Sequence, residues 1–414
     1  MKYVIIGNGV AGIKGAEAIR KIDSKGSITM IADESVPPYC RPMISMVLEG
    51  AVPFSKLSIR NPTFYDDLKI TPVLGKRVSD IDVDNKLVYI PDNRNTKGKT
   101  SIPFDKLLIA AGADPRPVKT QGVDLGNIFY MRTQDHVRKM LDVLPDLKNA
   151  LVLGGGLVAF KAAYGLMSRG KNVTMLIKSE YPLSMQVDDI AGKIIMDELV
   201  SKGLKVRAGI EVTAFGGNKN VKTAYLSDGT RIECDMVVIG KGVLPALSFI
   251  PQDKIKVDLG IMVDEHMETG VPGIFAAGDV AEYTDIARQD YWVNAIWPEA
   301  VAQGHIAGIN MAGRPLAYKG SLSRNVIRIF DMDIMTGGLI DPDNDYSWVI
   351  ASAKDKAYKT YKKLVFRNDK LVGMVMVNDI EQGGILLSLI QSQMPVKISK
   401  NKLLSPSFNY KQII

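Results

Sequence analysis

The sequence is poor in the residues that carry most metal and thiol chemistry. Of its 414 residues only two are cysteine, Cys40 and Cys234, and three are histidine, His136, His266 and His305. The cysteines fall in segments assigned below to different domains, which argues against a disulfide framework and a cysteine-ligated cluster. The scattered histidines offer no metal-ligand set. Any redox chemistry must therefore be carried by a bound organic cofactor. No uninterrupted apolar run reaches about 18 residues, so no segment is expected to span a membrane. No basic stretch leading into an apolar one precedes the first strand, and the chain reads as soluble and cytoplasmic. The basic residues are not interleaved with base-stacking aromatics, so nucleic acid is not expected as a partner.

What is present is the composition of a globular chain. With 46% hydrophobic and 23% charged residues, it is long enough for two or three domains with full cores. The formal net charge is +7, and from Pro315 onward 14 Lys/Arg stand against 9 Asp/Glu. That excess suggests either an acidic partner or an ordinary solvated surface. Lys354, Lys356, Lys359, Lys362 and Lys363 read as exposed helix or strand-flank positions.

The strongest local pattern lies at the start. Met1 to Ile6 is a short β-branched run that reads as a buried parallel strand, and Gly7-Asn8-Gly9-Val10-Ala11-Gly12 opens a helical pattern over Ile13 to Ile22. Gly7 permits the tight turn, Gly9 lets the backbone approach a pyrophosphate, and Gly12 lets the helix pack against the strand, with its first N–H groups facing the phosphates. A second apolar run, Ser27 to Ala32, ends on Asp33-Glu34, where an acid binds the adenosine ribose. The proline-fixed loop Val36 to Ser45 contains Cys40, Arg41 and Pro42, and Arg41 is a candidate phosphate- or flavin-facing cation. Ile70 to Ile90 is β-rich and reads as an inserted meander beyond Lys76-Arg77-Val78. Phe104 to Ala113 is an apolar strand ending on small residues, Ala111-Gly112, as a close ligand approach requires.

The pattern then repeats. Ala150 to Leu153 is another buried strand, and Gly154-Gly155-Gly156-Leu157-Val158-Ala159 gives the G-x-G-x-x-A variant, 147 positions after the first copy. One such match is weak evidence, whereas two in one chain point to two dinucleotides. The matching second strand, Val173 to Ile177, ends in Lys178-Ser179 with no carboxylate for a ribose hydroxyl, and a cation there accommodates the 2′-phosphate of NADPH. Cys234 to Gly242 closes this second site, with Cys234 as a small core residue. Ile274-Phe275-Ala276-Ala277-Gly278-Asp279-Val280 places a carboxylate at the ligand-binding edge of a parallel sheet. Pro298 begins a helix running to Met311. After Arg314 a separate α+β unit follows, with a hairpin over Lys362 to Val377 and a helix from Glu381 to Gln393.

In this order the pieces resemble the two-dinucleotide flavoproteins of the pyridine nucleotide-disulfide oxidoreductase superfamily, and most of all the branch of rubredoxin and ferredoxin reductases and the flavin part of large nitrite reductases. The resemblance covers nearly the whole chain. It rests on the two glycine motifs, Tyr39-Cys40-Arg41-Pro42, Leu108 to Gly112, Thr269 to Val280 and Tyr361 to Val365.

The resemblance implies an α/β fold with two Rossmann-like dinucleotide-binding domains plus a C-terminal α+β interface domain. An FAD domain would be made of 1–115 and 244–314, with a NAD(P) domain at 116–243 and the interface domain at 315–414. FAD would meet Gly7, Gly9, Val10, Ala11, Gly12, Asp33 or Glu34, Arg41, Pro42, Val78, Ala111, Gly112, Asp279 and Val280. The nicotinamide dinucleotide would meet Gly154, Gly156, Leu157, Lys178 and Gly242. Three departures stand out: Ala111 replaces a threonine, Met46 a lysine near the flavin, and Ala159 and Lys161 a glycine and a glutamate.

The implied function is an FAD-dependent NAD(P)H:acceptor oxidoreductase exchanging electrons with an acidic redox protein, rubredoxin or ferredoxin, or with an iron–sulfur or other metal-containing partner subunit. The chain would act as a homodimer or in a hetero-complex. The Cys-x-x-x-x-Cys pair of disulfide reductases is absent. Two alternatives remain open: a Cys40-assisted NADH oxidase or CoA-disulfide or persulfide reductase, and an FAD-holding assembly subunit without nicotinamide turnover.

Overall fold

The structure, a computed structural model, describes residues 1–91, 98–342, 348–355, 357 and 359–412. Lys356 of the basic C-terminal group lies outside the described residues. The chain divides into two compact units, one made of Met1–Cys40, Leu57–Asp114 and Leu244–Ser323, the other of Arg41–Lys56, Pro115–Val243 and Arg324–Ile414.

The first unit is built on a five-stranded parallel sheet in the order Ile274–Ala276, Lys106–Ile109, Lys2–Ile6, Ser27–Ile31, Ile70–Val73. Its central strands are continuous apolar runs because a parallel sheet is covered on both faces, and Ile5, Ile31, Leu107, Leu108 and Ile109 are fully buried. From Lys2–Ile6 the chain passes through the helix Val10–Ile22 to Ser27–Ile31 on one side, while Lys106–Ile109 pairs on the other. Strand order therefore reverses at Lys2–Ile6, which leaves a crevice above its carboxyl end.

The helix Trp297–Met311 packs on Val10–Ile22 through residues without side chains. A Cβ on Gly304 would lie 2.2 Å from the carbonyl oxygen of Ala11, and one on Gly308 2.4 Å from that of Gly15. The antiparallel meander consists of Asp80–Asp82, Leu87–Pro91 and Lys99–Pro103. Ile70–Val73, expected to begin it, is instead an edge strand of the parallel sheet, with Ile70 beside Ile28. Its Pro72 is tolerated because an edge strand has one side without partners.

The second unit repeats the theme with a parallel sheet in the order Lys205–Ala208, Asn172–Ile177, Asn149–Leu153, Met236–Ile239, Ile128–Tyr130. The helix Leu157–Ser168 follows the central strand. Beside it, the helix Ile44–Glu49 is closed by Arg169, whose Nε donates to Leu48 O (2.9 Å) and whose Nη2 donates to Val47 O (3.2 Å). The first satisfies a carbonyl that a helix end leaves without a partner, and the second joins the Gly50 N–H already on Val47 O.

The C-terminal part of this unit is a five-stranded antiparallel sheet, Arg324–Ile329, Met332–Gly338, Lys370–Val377, Thr360–Arg367, Trp348–Asp355, with the helix Gly383–Ser392. The hairpin turns on Asn368 and Asp369, both left-handed at φ 49° and 60°, a conformation that Asn and Asp tolerate and that matches strand twist.

Two lysines read as exposed are not. Lys362 and Lys363 are 3% and 6% exposed. Adjacent strand residues point to opposite faces, and six consecutive residues from Tyr361 are buried, so both faces are covered. Lys362 Nζ lies 2.8 Å from Asp379 Oδ2, and Lys363 Nζ lies 3.2 Å from Asp188 Oδ2.

Candidate functional site

Above the carboxyl end of Lys2–Ile6, the first unit forms a crevice lined by Gly7, Ala32, Asp33, Lys76, Arg77, Val78, Ala111, Asp114, Ala246 and Phe249. Gly7 takes φ +115°, and a Cβ there would lie 2.0 Å from the Ala110 carbonyl oxygen, so only glycine fits. Gly9 is different. Its backbone is ordinary extended chain, φ −81° and ψ −177°, and nothing lies within 4 Å of the position its Cβ would take. The absent side chain leaves room beside a helix that has no side-chain N-cap and no acid in its first turn. The first N–H groups of Val10–Ile22 are thus available to an external anion. The Asn8 side chain donates to Val36 O (3.2 Å), while its Oδ1 is buried without a partner. An open glycine and an uncapped helix start together fit a bound dinucleotide pyrophosphate.

The acid expected after the second strand is better placed as Asp33 than as Glu34. Asp33 lines the crevice, whereas Glu34 accepts the Tyr39 hydroxyl at 2.9 Å. Arg77 lines it too, holding Asp33 at 3.6 Å and bonding the Asp114 carboxylate. Arg77 was legible only as a residue flanking Val78, since its role comes from two acids distant in sequence. Val78 and Ala111 also line the crevice, and Gly112, left-handed at φ +74°, receives the Ala246 N–H at 3.0 Å. Half-buried Asp279 and buried Val280 follow the edge strand Ile274–Ala276, whose carboxyl end lies on the same side of the sheet. Arg41 and Pro42 belong to the second unit, where Arg41 Nη1 donates to Arg132 O at 2.8 Å.

In the second unit the same local geometry recurs. Gly154 takes φ +118°, a Cβ there would lie 2.3 Å from Gly240 O, and Gly156 has open space beside it at a helix start without a side-chain cap. Ala159 is fully buried at the third position. It is accommodated because the facing residue is Gly240, whose own Cβ would lie 2.8 Å from that of Ala159. Leu157 borders a narrow apolar gap with Leu183, Val187, Ile327 and Ile334. Gly242 is left-handed at φ +90°.

Lys178 is 81% exposed and pairs with Glu211 Oε2 at 3.3 Å, while Glu211 Oε1 pairs with Lys241 Nζ at 3.1 Å. Glu211 has no place in the glycine motif and was not legible as a site residue.

Both cysteines are free thiols, Cys40 half-buried and Cys234 buried. Burial, reinforced by Asp235 and Glu233, pushes the Cys234 thiol up to about 12, so the nucleophilic thiolate is absent near neutrality. Native protein treated with a maleimide at about pH 8 should lose at most one thiol per chain, and both only after unfolding. Mass spectrometry of the labelled peptides checks this. Modification of Cys234 in the folded chain would contradict the packing. Among the described residues, no three His, Cys, Asp or Glu are grouped to hold a metal ion, and no helix is long and apolar enough to cross a membrane.

Two glycine cradles at two strand-order reversals define a protein that holds two dinucleotides. Residues 1–304 match the pyridine nucleotide-disulphide oxidoreductase family, and residues 324–394 match the rubredoxin NAD+ reductase C-terminal domain. The chain belongs to the pyridine nucleotide-disulphide oxidoreductase family, whose members work with FAD and NAD(P)H. It is 27% identical over 98% of its length to the assimilatory nitrate reductase electron transfer subunit of Bacillus subtilis (strain 168), spanning 51% of that protein. The chain thus covers about half the length of that relative. It is 28% identical to the NADH-rubredoxin oxidoreductase of Clostridium acetobutylicum, with 94% of both chains covered. Among solved structures it superposes on the covalent putidaredoxin reductase–putidaredoxin complex with a TM-score of 0.89, at 23% identity, covering all of this chain and 97% of that one.

Proposed function

We propose that the chain takes a hydride from NAD(P)H and delivers the two electrons singly to a protein redox carrier of the rubredoxin or ferredoxin kind, or to an iron–sulfur partner subunit. One turnover converts NAD(P)H and two oxidised carriers into NAD(P)+, a proton and two reduced carriers. The observation that carries the reading is the pair of open, uncapped glycine cradles on one chain, in a sequence without a Cys-x-x-x-x-Cys pair to pass electrons to a disulfide. The likeness of residues 324–394 to a rubredoxin reductase C-terminal domain supports a one-electron protein acceptor.

When bound, FAD supplies the step between two-electron and one-electron chemistry. The chain's own residues bind and orient. In this reading Gly7, Gly9, Val10, Ala11 and Gly12 hold the FAD pyrophosphate, and Asp33 the ribose. Arg77 ties Asp33 to Asp114, while Val78, Ala111, Gly112, Asp279 and Val280 complete that domain (1–115 and 244–314); Arg41 and Pro42 stand in the second unit. Gly154, Gly156, Leu157 and Gly242 hold the nicotinamide dinucleotide within 116–243, and 315–414 forms the interface domain. Two free cysteines suit a cytoplasmic setting.

Anaerobic titration of the flavin-loaded protein with NADH, and separately NADPH, should bleach the oxidised flavin stoichiometrically with at least one of them. Reduction by dithionite but by neither nucleotide would favour the FAD-holding assembly subunit. Cys40→Ser should keep turnover within about twofold, since no thiol takes part. A loss of about 100-fold or more would shift the assignment to cysteine-assisted reduction of oxygen, a persulfide or a CoA disulfide.

A further inference from the structure

In a dinucleotide fold the adenosine ribose is read by a carboxylate at the end of the second strand. In the nicotinamide domain of this chain that end is Ile177-Lys178-Ser179, and the acid that follows, Glu180, is solvent-exposed. The fold brings a second acid, held in place, from elsewhere. Lys205–Ala208 runs parallel to Asn172–Ile177, with Ala208 beside Ile177, so the residues after Ala208 emerge at the same edge. There the chain turns across the neighbouring strand end: Gly209 N–H donates to Ser179 O at 3.4 Å and Ile210 N–H to Ile177 O at 3.3 Å. Glu211 comes next. Lys178 and Lys241 each take one of its oxygens, at 3.3 and 3.1 Å. Lys241 follows Met236–Ile239, on the other side of the strand that opens into Gly154. A solvent-facing carboxylate, 41% exposed, is therefore held between two cations beside the glycine turn.

We propose that Glu211 sets the choice of nicotinamide coenzyme, reading the adenosine ribose hydroxyls and favouring NADH, while it occupies a lysine pair that would otherwise take the 2′-phosphate of NADPH. This rests on the reading that 116–243 binds the nicotinamide dinucleotide. A carboxylate oxygen that accepts one lysine bond still has a lone pair for a hydroxyl, so ribose and lysines are satisfied together. A 2′-phosphate is an acceptor only. It must compete with Glu211 for the same lysines and meets a like charge while doing so, a juxtaposition that discriminates strongly. The two lysines, Lys241 foremost, hold the Glu211 carboxyl below the usual range, so the repelling charge is present throughout the neutral range. The expectation from Lys178 alone, a preference for NADPH, took that lysine as uncommitted, and the carboxylate on it reverses the sign.

The test is calorimetric titration of the oxidised, FAD-loaded protein with NAD+ and with NADP+, where no hydride moves. The wild-type chain should bind NAD+ at least about tenfold more tightly, and Glu211→Gln should shift the ratio about tenfold or more towards NADP+, chiefly by tightening NADP+. Glu211 is exposed enough that glutamine leaves the packing unchanged. A wild-type preference for NADP+, or an unchanged ratio in Glu211→Gln, would overturn the inference while leaving the nicotinamide reading intact. If neither nucleotide bound, both readings would fall.

Discussion

Replacing Gly9 with leucine should give a folded protein that purifies without its yellow colour. Nothing in the chain lies within 4 Å of the added Cβ, and the extended backbone at Gly9, φ −81° and ψ −177°, suits any residue. The cost to the apo fold is therefore limited to exchanging one helix N-cap residue for a poorer one, about 1 kcal/mol. The side chain instead fills the space left for a pyrophosphate in front of the uncapped helix Val10–Ile22. Loss of that approach should weaken FAD by about 100-fold or more, ~2.7 kcal/mol. Gly7→Leu is the contrasting case. There the Cβ would lie 2.0 Å from Ala110 O at φ +115°, and the chain should fail to fold whether or not FAD is supplied.

Flavin content, measured by visible absorbance per chain, and melting of the apo proteins separate the two effects. Because a ligand that binds only the native state raises its stability by mass action, Gly9→Leu should melt like wild-type apoprotein and gain little from added FAD. A Gly9→Leu protein with wild-type flavin content would remove the pyrophosphate from this loop.

The contrast between Gly7 and Gly9 also shows what was readable in the sequence. Both glycine motifs, their strands and their helices are local, and a strand, a tight turn and a helix within twenty residues declare themselves without tertiary information. The C-terminal hairpin was readable for the same reason, through Asn368-Asp369 and its flanking apolar runs. Features that depend on distant segments were not. Ile70–Val73 has the same local pattern whether it starts a meander or extends the parallel sheet, and only its pairing with Ser27–Ile31 decides. Arg77 gained its role from Asp33 and Asp114, and Glu211 from a strand order that carries it to Lys178. Lys362 and Lys363 were misread because lysine is seldom buried unless paired, and the partner of Lys363 lies far away in the sequence.

That partner, Asp188, is where removal of one side chain should cost much stability. It is 8% exposed and does three things at once. Its Oδ1 caps the helix Asp189–Ser201 by accepting Ala191 N–H at 3.1 Å, while its Oδ2 accepts the Tyr361 hydroxyl at 2.6 Å and pairs with Lys363 Nζ at 3.2 Å. Asp188→Ala removes the cap, worth about 1 kcal/mol, and leaves Lys363 charged, buried and unpaired, which costs about 3–5 kcal/mol. For a unit of this size the combined loss should lower the melting temperature by roughly 10 °C or more. Replacing both partners by apolar groups avoids the unpaired charge, so Asp188→Ala with Lys363→Met should melt well above Asp188→Ala alone. Equal melting of the single variant and wild type would show that water reaches Lys363.

Tyr361 adds a pH signature to the same cluster. Burial and the bond to Asp188 raise its hydroxyl pKa, so the folded state disfavours the phenolate that the unfolded chain forms above about pH 10. Its contribution is therefore fully present below about pH 10 and declines as pH rises further. Tyr361→Phe should flatten that alkaline fall in urea melts recorded from neutral pH upward. The cluster also reaches the nucleotide cradle. Leu183, in the loop leading to Asp188, donates its N–H to Gly155 O at 2.8 Å, and Val187 N–H returns to Leu183 O at 2.9 Å. The turn proposed to receive the nicotinamide dinucleotide is thereby fastened to the C-terminal sheet, and Asp188→Ala should weaken NAD+ several-fold at temperatures where the protein is still folded. Unchanged NAD+ affinity alongside the lowered melting temperature would mean that the loop holds the glycine turn without help from the sheet.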